Sequence, residues 1–371
     1  MDQQTLRADL PITDSLVYLN TGASGPVTTT VQDAVAAALR RHGCAADPYG
    51  VAAEITDTAR ARVADFVGAT PAMVAFTQST TAAINAGILA CDLKPGQTVV
   101  QTSIEHGAAQ LPLQRQQRRG VSITTIDASR GELDMDGFST AVMEADLVVV
   151  SAVSWTHGTV LPIKAIVEEA HDAGARVLVD AVQAVGQRPV DIQGWGADMV
   201  AFAGHKWLMA PWGAGVLVIH PDAVGDLHPA TVGFAGVDTD GEGFRWHPDA
   251  RRFELGTRAV GPLAGLTAAL DQIGPIGMEA VMRWNRSRAQ QLIEALAGVV
   301  TPIGSPGETG IVTLRVDDPE ATVSALADAG FIVRHIPDLR GSLRVSMHIF
   351  TTPEEVSTFA TILREIVTGA R

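Results

Sequence analysis

The chain is short of lysine. Of its 27 basic residues only Lys94, Lys164 and Lys206 carry a primary amine, so chemistry that needs one has three candidates. Cysteine is scarcer still: Cys44 and Cys91 cannot build a disulfide framework, and a lone bridge would be unusual in a reducing compartment. Positive charge is outweighed, and a net charge of -14 argues against nucleic acid or an anionic membrane as partner, since either would repel the chain. No apolar run approaches the roughly 18 residues of a membrane span. The start, Met1-Asp-Gln-Gln-Thr-Leu-Arg-Ala-Asp9, lacks the basic residues and apolar core of a signal peptide, so a cytoplasmic location is expected. The ten histidines include no His-Glu-x-x-His pair and no Cys/His cluster, which argues against a catalytic metal. Neither Gly-x-Gly-x-x-Gly nor a P-loop occurs, which weakens a dinucleotide-dependent dehydrogenase reading.

What is present fits an α/β enzyme. With 371 residues, 46% of them hydrophobic, the chain can bury a substantial core and is expected to divide into a large and a small domain. Apolar, β-branched runs predict strands near 73–77, 98–102, 121–126, 147–152, 175–180, 198–203 and 214–219, with helical patterns between most of them. Strands alternating with helices predict a mainly parallel seven-stranded sheet with helices on both faces. After Thr257 the pattern changes to a long helix through Trp284, a strand from Ile311, a helix near 319–329, strands near 331–335 and 342–348, and a last helix from Pro353. This places a large domain over 20–257 and a smaller α+β domain over 258–371, with residues 1–19 packed beside it. Gly and Pro between Asp222 and Arg251 predict a flexible border to the active site.

Lys206 lies in Ala201-Phe-Ala-Gly-His-Lys206-Trp-Leu-Met-Ala-Pro-Trp212, where a charged ammonium must pair, snorkel along a helix or lose its proton. A lysine desolvated in this way is a nucleophile of the Schiff-base-forming kind. Upstream, Ala175-Arg-Val-Leu-Val-Asp180 reads as a buried strand with a carboxylate at its C-terminal end, where open α/β sheets keep their ligand sites. A lysine that forms a Schiff base and a carboxylate at a ring nitrogen are the partner set of pyridoxal 5'-phosphate. Gln183, three residues on, can donate to a phenolate oxygen of the same ring. Thr80 and Thr81 follow the strand Met73-Val-Ala-Phe-Thr77 and open a helix, so they are either ordinary N-cap residues or part of a phosphate cradle. His106 and Arg344 have equally plain alternatives, an exposed helix-start residue and an outward charge on a strand.

These segments together resemble the class V aminotransferase family of fold-type I pyridoxal-phosphate enzymes, which includes cysteine desulfurases, selenocysteine lyases, isopenicillin N epimerase and kynureninase. The resemblance rests on Val179-Asp-Ala-Val-Gln183-Ala-Val and Ala203-Gly-His-Lys206, and it extends from about Tyr18 to the C-terminus. It implies that Phe76-Thr-Gln-Ser-Thr80-Thr81 is the phosphate-binding turn, with His205 as a further phosphate neighbour, and that His106 of Ile104-Glu-His106 stacks on the cofactor ring. It also implies that Thr257 of Arg252-Phe-Glu-Leu-Gly-Thr257 reaches a neighbouring subunit's phosphate, which makes the active unit a homodimer with shared sites. Arg344 of Ser342-Leu-Arg344-Val-Ser is the residue implied to grip the α-carboxylate of an amino-acid substrate.

The chain departs from the family pattern in three places. Cysteine desulfurases carry a cysteine in a mobile loop shortly before the carboxylate-binding arginine, whereas Ile332-Val-Arg-His-Ile-Pro-Asp-Leu-Arg-Gly-Ser-Leu-Arg344 has none, which excludes a persulfide relay at that place. The serine that usually precedes Gly-His-Lys is Ala203. Where desulfurases place an asparagine near the cofactor, this chain has Val153-Ser-Trp155-Thr-His157, and Trp155 and His157 point to a different substrate. The reaction expected is C–S cleavage by β-elimination, with a transaminase or an epimerase as alternatives and a catalytically idle cofactor-binding homologue as a third. Lys206, His106 and Asp180 are the catalytic candidates. Cys91 ends an apolar helix and reads as packing, and Cys44 has no assigned role.

Overall fold

The computed structural model describes residues 2–369 apart from Asp240 and Asp338. Seven strands form one sheet in the order Val74–Thr77, Gly215–Ile219, Met199–Ala203, Arg176–Asp180, Leu147–Ser151, Thr98–Thr102, Ser122–Ile126. Only Gly215–Ile219 runs against its neighbours, and the other adjacent pairs are parallel. The mainly parallel seven-stranded sheet expected from the sequence is what forms. Alternation of side chains explains its burial. Val148, Val150, Val177, Val179, Val200 and Phe202 enter one core, and Leu147, Val149, Leu178, Met199 and Ala201 enter the other on the opposite face.

A third core closes the C-terminal region around Val312, Leu314, Leu343, Val345, Phe331 and Phe359. Its antiparallel sheet has the order Ile311–Arg315, Ser342–Ser346, Arg334–His335, backed by the helices Met278–Ala295, Pro319–Asp328 and Pro353–Thr368. The N-terminal segment joins it: Val17–Tyr18 pairs in parallel with Phe331–Ile332, and Asn20 bridges to Ser346. Leu6 and Leu10 go instead to the main core, while Arg7 donates to Glu355 and to the Phe350 carbonyl. The helix Val260–Ile273 lies beyond Thr257 yet buries Leu263, Leu266 and Leu270 in the main core, because it packs on the helices Thr29–Gly43 and Pro48–Phe66. This helix thus packs with the large sheet's core although it follows Thr257 in the chain. Between Asp222 and Arg251 the chain forms an exposed hairpin, Val237–Thr239 with Phe244–Trp246.

Candidate active site

The C-terminal ends of the parallel strands open into a cavity of about 320 Å³, bordered on its far side by the small sheet. Nine of the eleven residues singled out from the sequence line it: Thr80, Thr81, His106, Trp155, Asp180, Gln183, His205, Lys206 and Arg344. Asp180 is the last residue of its strand and accepts the Val182 N–H at 2.9 Å, which aims the carboxylate past the strand end. Lys206 sits in the turn joining the strands that end at Ala203 and begin at Gly215. That turn is held tightly. Gly25 N–H donates to the His205 carbonyl at 2.7 Å, and a side chain at Gly25 would run into the Lys206 carbonyl oxygen. Met209, buried and non-glycine, takes a left-handed φ of 57° in the same turn, an uncommon conformation that only dense surroundings sustain.

Burial decides the charge states. It lowers Lys206 to about 8, with attraction from Asp180 opposing the shift and the Arg344 and Arg334 charges adding to it. Burial also raises Asp180, while the Val182 hydrogen bond and Lys206 hold it down. His205 is lowered to about 4, first by burial and then by Lys206, so its ring is a neutral donor or acceptor near neutral pH. Arg344 is 1% exposed and among the described residues has no carboxylate partner; burial and the Arg334 charge lower it to about 9. One of its terminal nitrogens donates to the Trp155 carbonyl at 2.8 Å, whereas Nε and Nη2 are buried without a partner among the described residues. A guanidinium in that state is a site for a carboxylate.

The phosphate end is built on the helix Thr80–Ala90. Ser79, not Thr80, is its N-cap and accepts the Ala82 N–H at 3.1 Å, while the Thr80 hydroxyl is buried with no partner among the described residues. A helix start with free N–H groups, an orphaned hydroxyl, a buried amine and a carboxylate at the strand end are the donor set that a phosphorylated pyridine aldehyde requires, so the residues fit the cofactor. Gln183 donates to the Gly22 carbonyl at 2.9 Å and accepts the Trp207 indole N–H at 2.7 Å, leaving one amide proton for a ring oxygen. His106 caps the next helix, with Nδ1 accepting from Ala108, and its ring meets that of Trp155 edge-on at 5.0 Å.

Two predicted residues lie elsewhere. His157 is buried but faces away from the cavity: the turn from Ser154 to Thr159 aims Trp155 inward and turns His157 towards Gly304, with Nδ1 2.8 Å from the Thr156 hydroxyl. Thr257 is exposed. Its loop is fixed by Glu254, which takes Arg60 at 2.9 Å, the Phe76 N–H at 2.9 Å and Arg258 at 3.0 Å. Neither cysteine lines the cavity: Cys44 is exposed beyond the helix Thr29–Gly43, and burial pushes Cys91 up to about 12. Ser79, Gly22, Trp212 and Arg334 line the cavity without having been singled out. For Arg334 a signal existed, since its place in Phe331-Ile-Val-Arg334-His335 sets it beside the predicted strand of Arg344. Glu105, one residue before His106, is wholly buried and accepts from the Thr102 hydroxyl at 2.6 Å, the Ser151 hydroxyl at 2.6 Å and the Ser151 N–H at 3.0 Å.

The fold is shared with known proteins. The family model "Aminotransferase class-V" matches residues 17–359, and the chain belongs to that family of pyridoxal-phosphate enzymes. It is 30% identical to a probable cysteine desulfurase of Methanothermobacter thermautotrophicus, over 99% of this chain and 98% of that protein. The apo structure of a cysteine desulfurase from Thermococcus onnurineus NA1 superposes with a TM-score of 0.93 at 27% identity, covering 100% of this chain and 99% of the other. A complex of the cystine C–S lyase C-DES with cysteine persulfide gives a TM-score of 0.88 at 25% identity, with 96% and 99% covered.

Proposed function

We propose that this protein cleaves a C–S bond in a β-substituted amino acid, as a cytoplasmic homodimer whose sites are completed across the subunit interface. The observation that carries the reading is the opposition, within one cavity, of the buried amine of Lys206 next to Asp180 and the guanidinium of Arg344, whose Nε and Nη2 have no partner among the described residues. When bound, pyridoxal phosphate supplies a ring that takes up the electron pair released at the substrate's Cα. Thr80, Thr81 and His205 would hold its phosphate, His106 would cover its face, and Asp180 and Gln183 would hold the ring nitrogen and ring oxygen. Lys206 then removes the Cα proton, which its lowered basicity suits near neutral pH. Arg344 fixes the α-carboxylate with charge-assisted hydrogen bonds worth about 1.5 to 3 kcal/mol each. Loss of the β-substituent follows without a protein sulfur acceptor, because no cysteine lines the cavity.

The relatives' names favour this outcome over transfer of the amine, since they are a cysteine desulfurase and a cystine C–S lyase. A lyase needs no second substrate. S-substituted cysteines supplied without any keto acid should yield ammonia, pyruvate and thiol over many turnovers. Ammonia or keto product appearing only when a keto acid is added would assign the protein to the aminotransferases, and racemisation without either would assign an epimerase.

A further inference from the structure

Arg334 and Arg344 stand directly opposite each other in the antiparallel pair that closes the cavity. Directly opposed residues share one face of a sheet, and like charges placed so are destabilising unless something lies between or above them. Both line the cavity, and among the described residues neither has a carboxylate partner. Arg334 donates through Nε to the His335 carbonyl at 3.2 Å, which leaves its terminal nitrogens for the cavity. Among the described residues Asp180 is the single carboxylate of the lining, set against Lys206, Arg334 and Arg344. With Lys206 neutral and Asp180 engaged at the ring, the α-carboxylate of an ordinary amino acid satisfies one guanidinium and leaves the other without a counter-charge.

We propose that the substrate carries a second anion at the far end of its β-substituent, and that Arg334 receives it while Arg344 receives the α-carboxylate. On the C–S cleavage reading, on which this inference rests, the substrate class is an S-substituted cysteine whose sulfur substituent ends in a carboxylate or an anion of like geometry. The paired guanidiniums then act as a ruler, selecting substrates whose two anions span the gap between adjacent strands.

The test uses the full-length, cofactor-loaded protein and two substrates that differ in charge but hardly in shape, S-carboxymethylcysteine and S-carbamoylmethylcysteine. The acid should be preferred in kcat/KM by about 10- to 100-fold, the range of one charge-assisted bidentate contact. Arg334→Gln should bring that ratio close to one, and Arg334→Lys should keep part of it. Calorimetry with succinate and propionate, which lack the amine and cannot react, gives an independent readout: succinate should bind more tightly, and Arg334→Gln should abolish the difference. Equal loss for both sulfur substrates in Arg334→Gln, meaning that the two arginines share one carboxylate, would overturn the proposal. So would release of the cofactor from that variant, meaning that Arg334 serves the phosphate. Should neither sulfur substrate yield a thiol while the succinate preference persists and depends on Arg334, the cleavage reading falls and the second-anion site stands.

Discussion

At the scale of single residues, the environment of Lys206 makes a measurable statement. Its ordinary value of 10.5 is lowered to about 8 by burial, against the pull of Asp180. Between those values the unfolded chain binds a proton that the folded chain does not, so the stability linked to this group rises with pH through the window and is smallest below pH 8. The neutral amine is also the reactive form. Capture of the cofactor aldehyde by the apo protein should accelerate with a midpoint near pH 8, and borohydride followed by peptide mapping should tag Lys206. Lys94 and Lys164 lie exposed beside Asp92 and Glu168, and label on either would refute the assignment. Lys206 was legible in the sequence because an amine in an apolar run is conspicuous. The position of His157 outside the cavity lining was not legible, because its nearness to Trp155 along the chain says nothing about which way a tight turn sends each side chain.

At the scale of elements, two buried carboxyls tie the strand ends together and titrate with opposite sign. Burial pushes Glu105 up to about 7, against the hydrogen bonds from Ser151 and Thr102, with Asp180 adding to the rise. Its contribution is present below the ordinary 4.5 and is lost as pH rises through 7. Glu105→Gln should remove that decline, so urea denaturation should show variant and parent diverging from pH 5 to pH 8; a constant gap would contradict it. Glu254 is lowered, although its burial opposes this, because Arg60 and Arg258 hold it, and its contribution is lost as pH falls below the ordinary carboxylate range. Glu254→Ala strands the buried Arg60 and should cost about 3 to 5 kcal/mol of unfolding free energy. The strands themselves were legible to within about a residue, since each is a short apolar run bounded by turns. The reversal of Gly215–Ile219 was not, because its composition matches that of its parallel neighbours. Its direction follows from the short turn that presents Lys206.

At the scale of the whole molecule, the exposed Thr257 and the apolar residues around it bear on assembly. Val232, Phe234 and Leu255 are largely exposed, Phe234 lies against Gly256, and Trp212, 73% exposed, stands at the cavity mouth. In the proposed C2 dimer this surface would form the subunit contact and each Thr257 would serve its neighbour's cavity, a contact that a single sequence cannot display because it joins residues of different chains. Mixing experiments can separate a shared site from a self-contained one. Lys206→Ala removes the amine of a protomer's own site, and Thr257→Glu would set a carboxylate against the phosphate of the partner's site. In a mixed dimer made by co-refolding the two, one site collects both defects and the other collects none. Random pairing should therefore restore about a quarter of the parent activity from two inactive preparations. If each cavity used its own Thr257, every protomer would carry one lesion and no activity would return. Sedimentation at assay concentration supplies the companion measurement, and a fully active monomer would rule out the shared site.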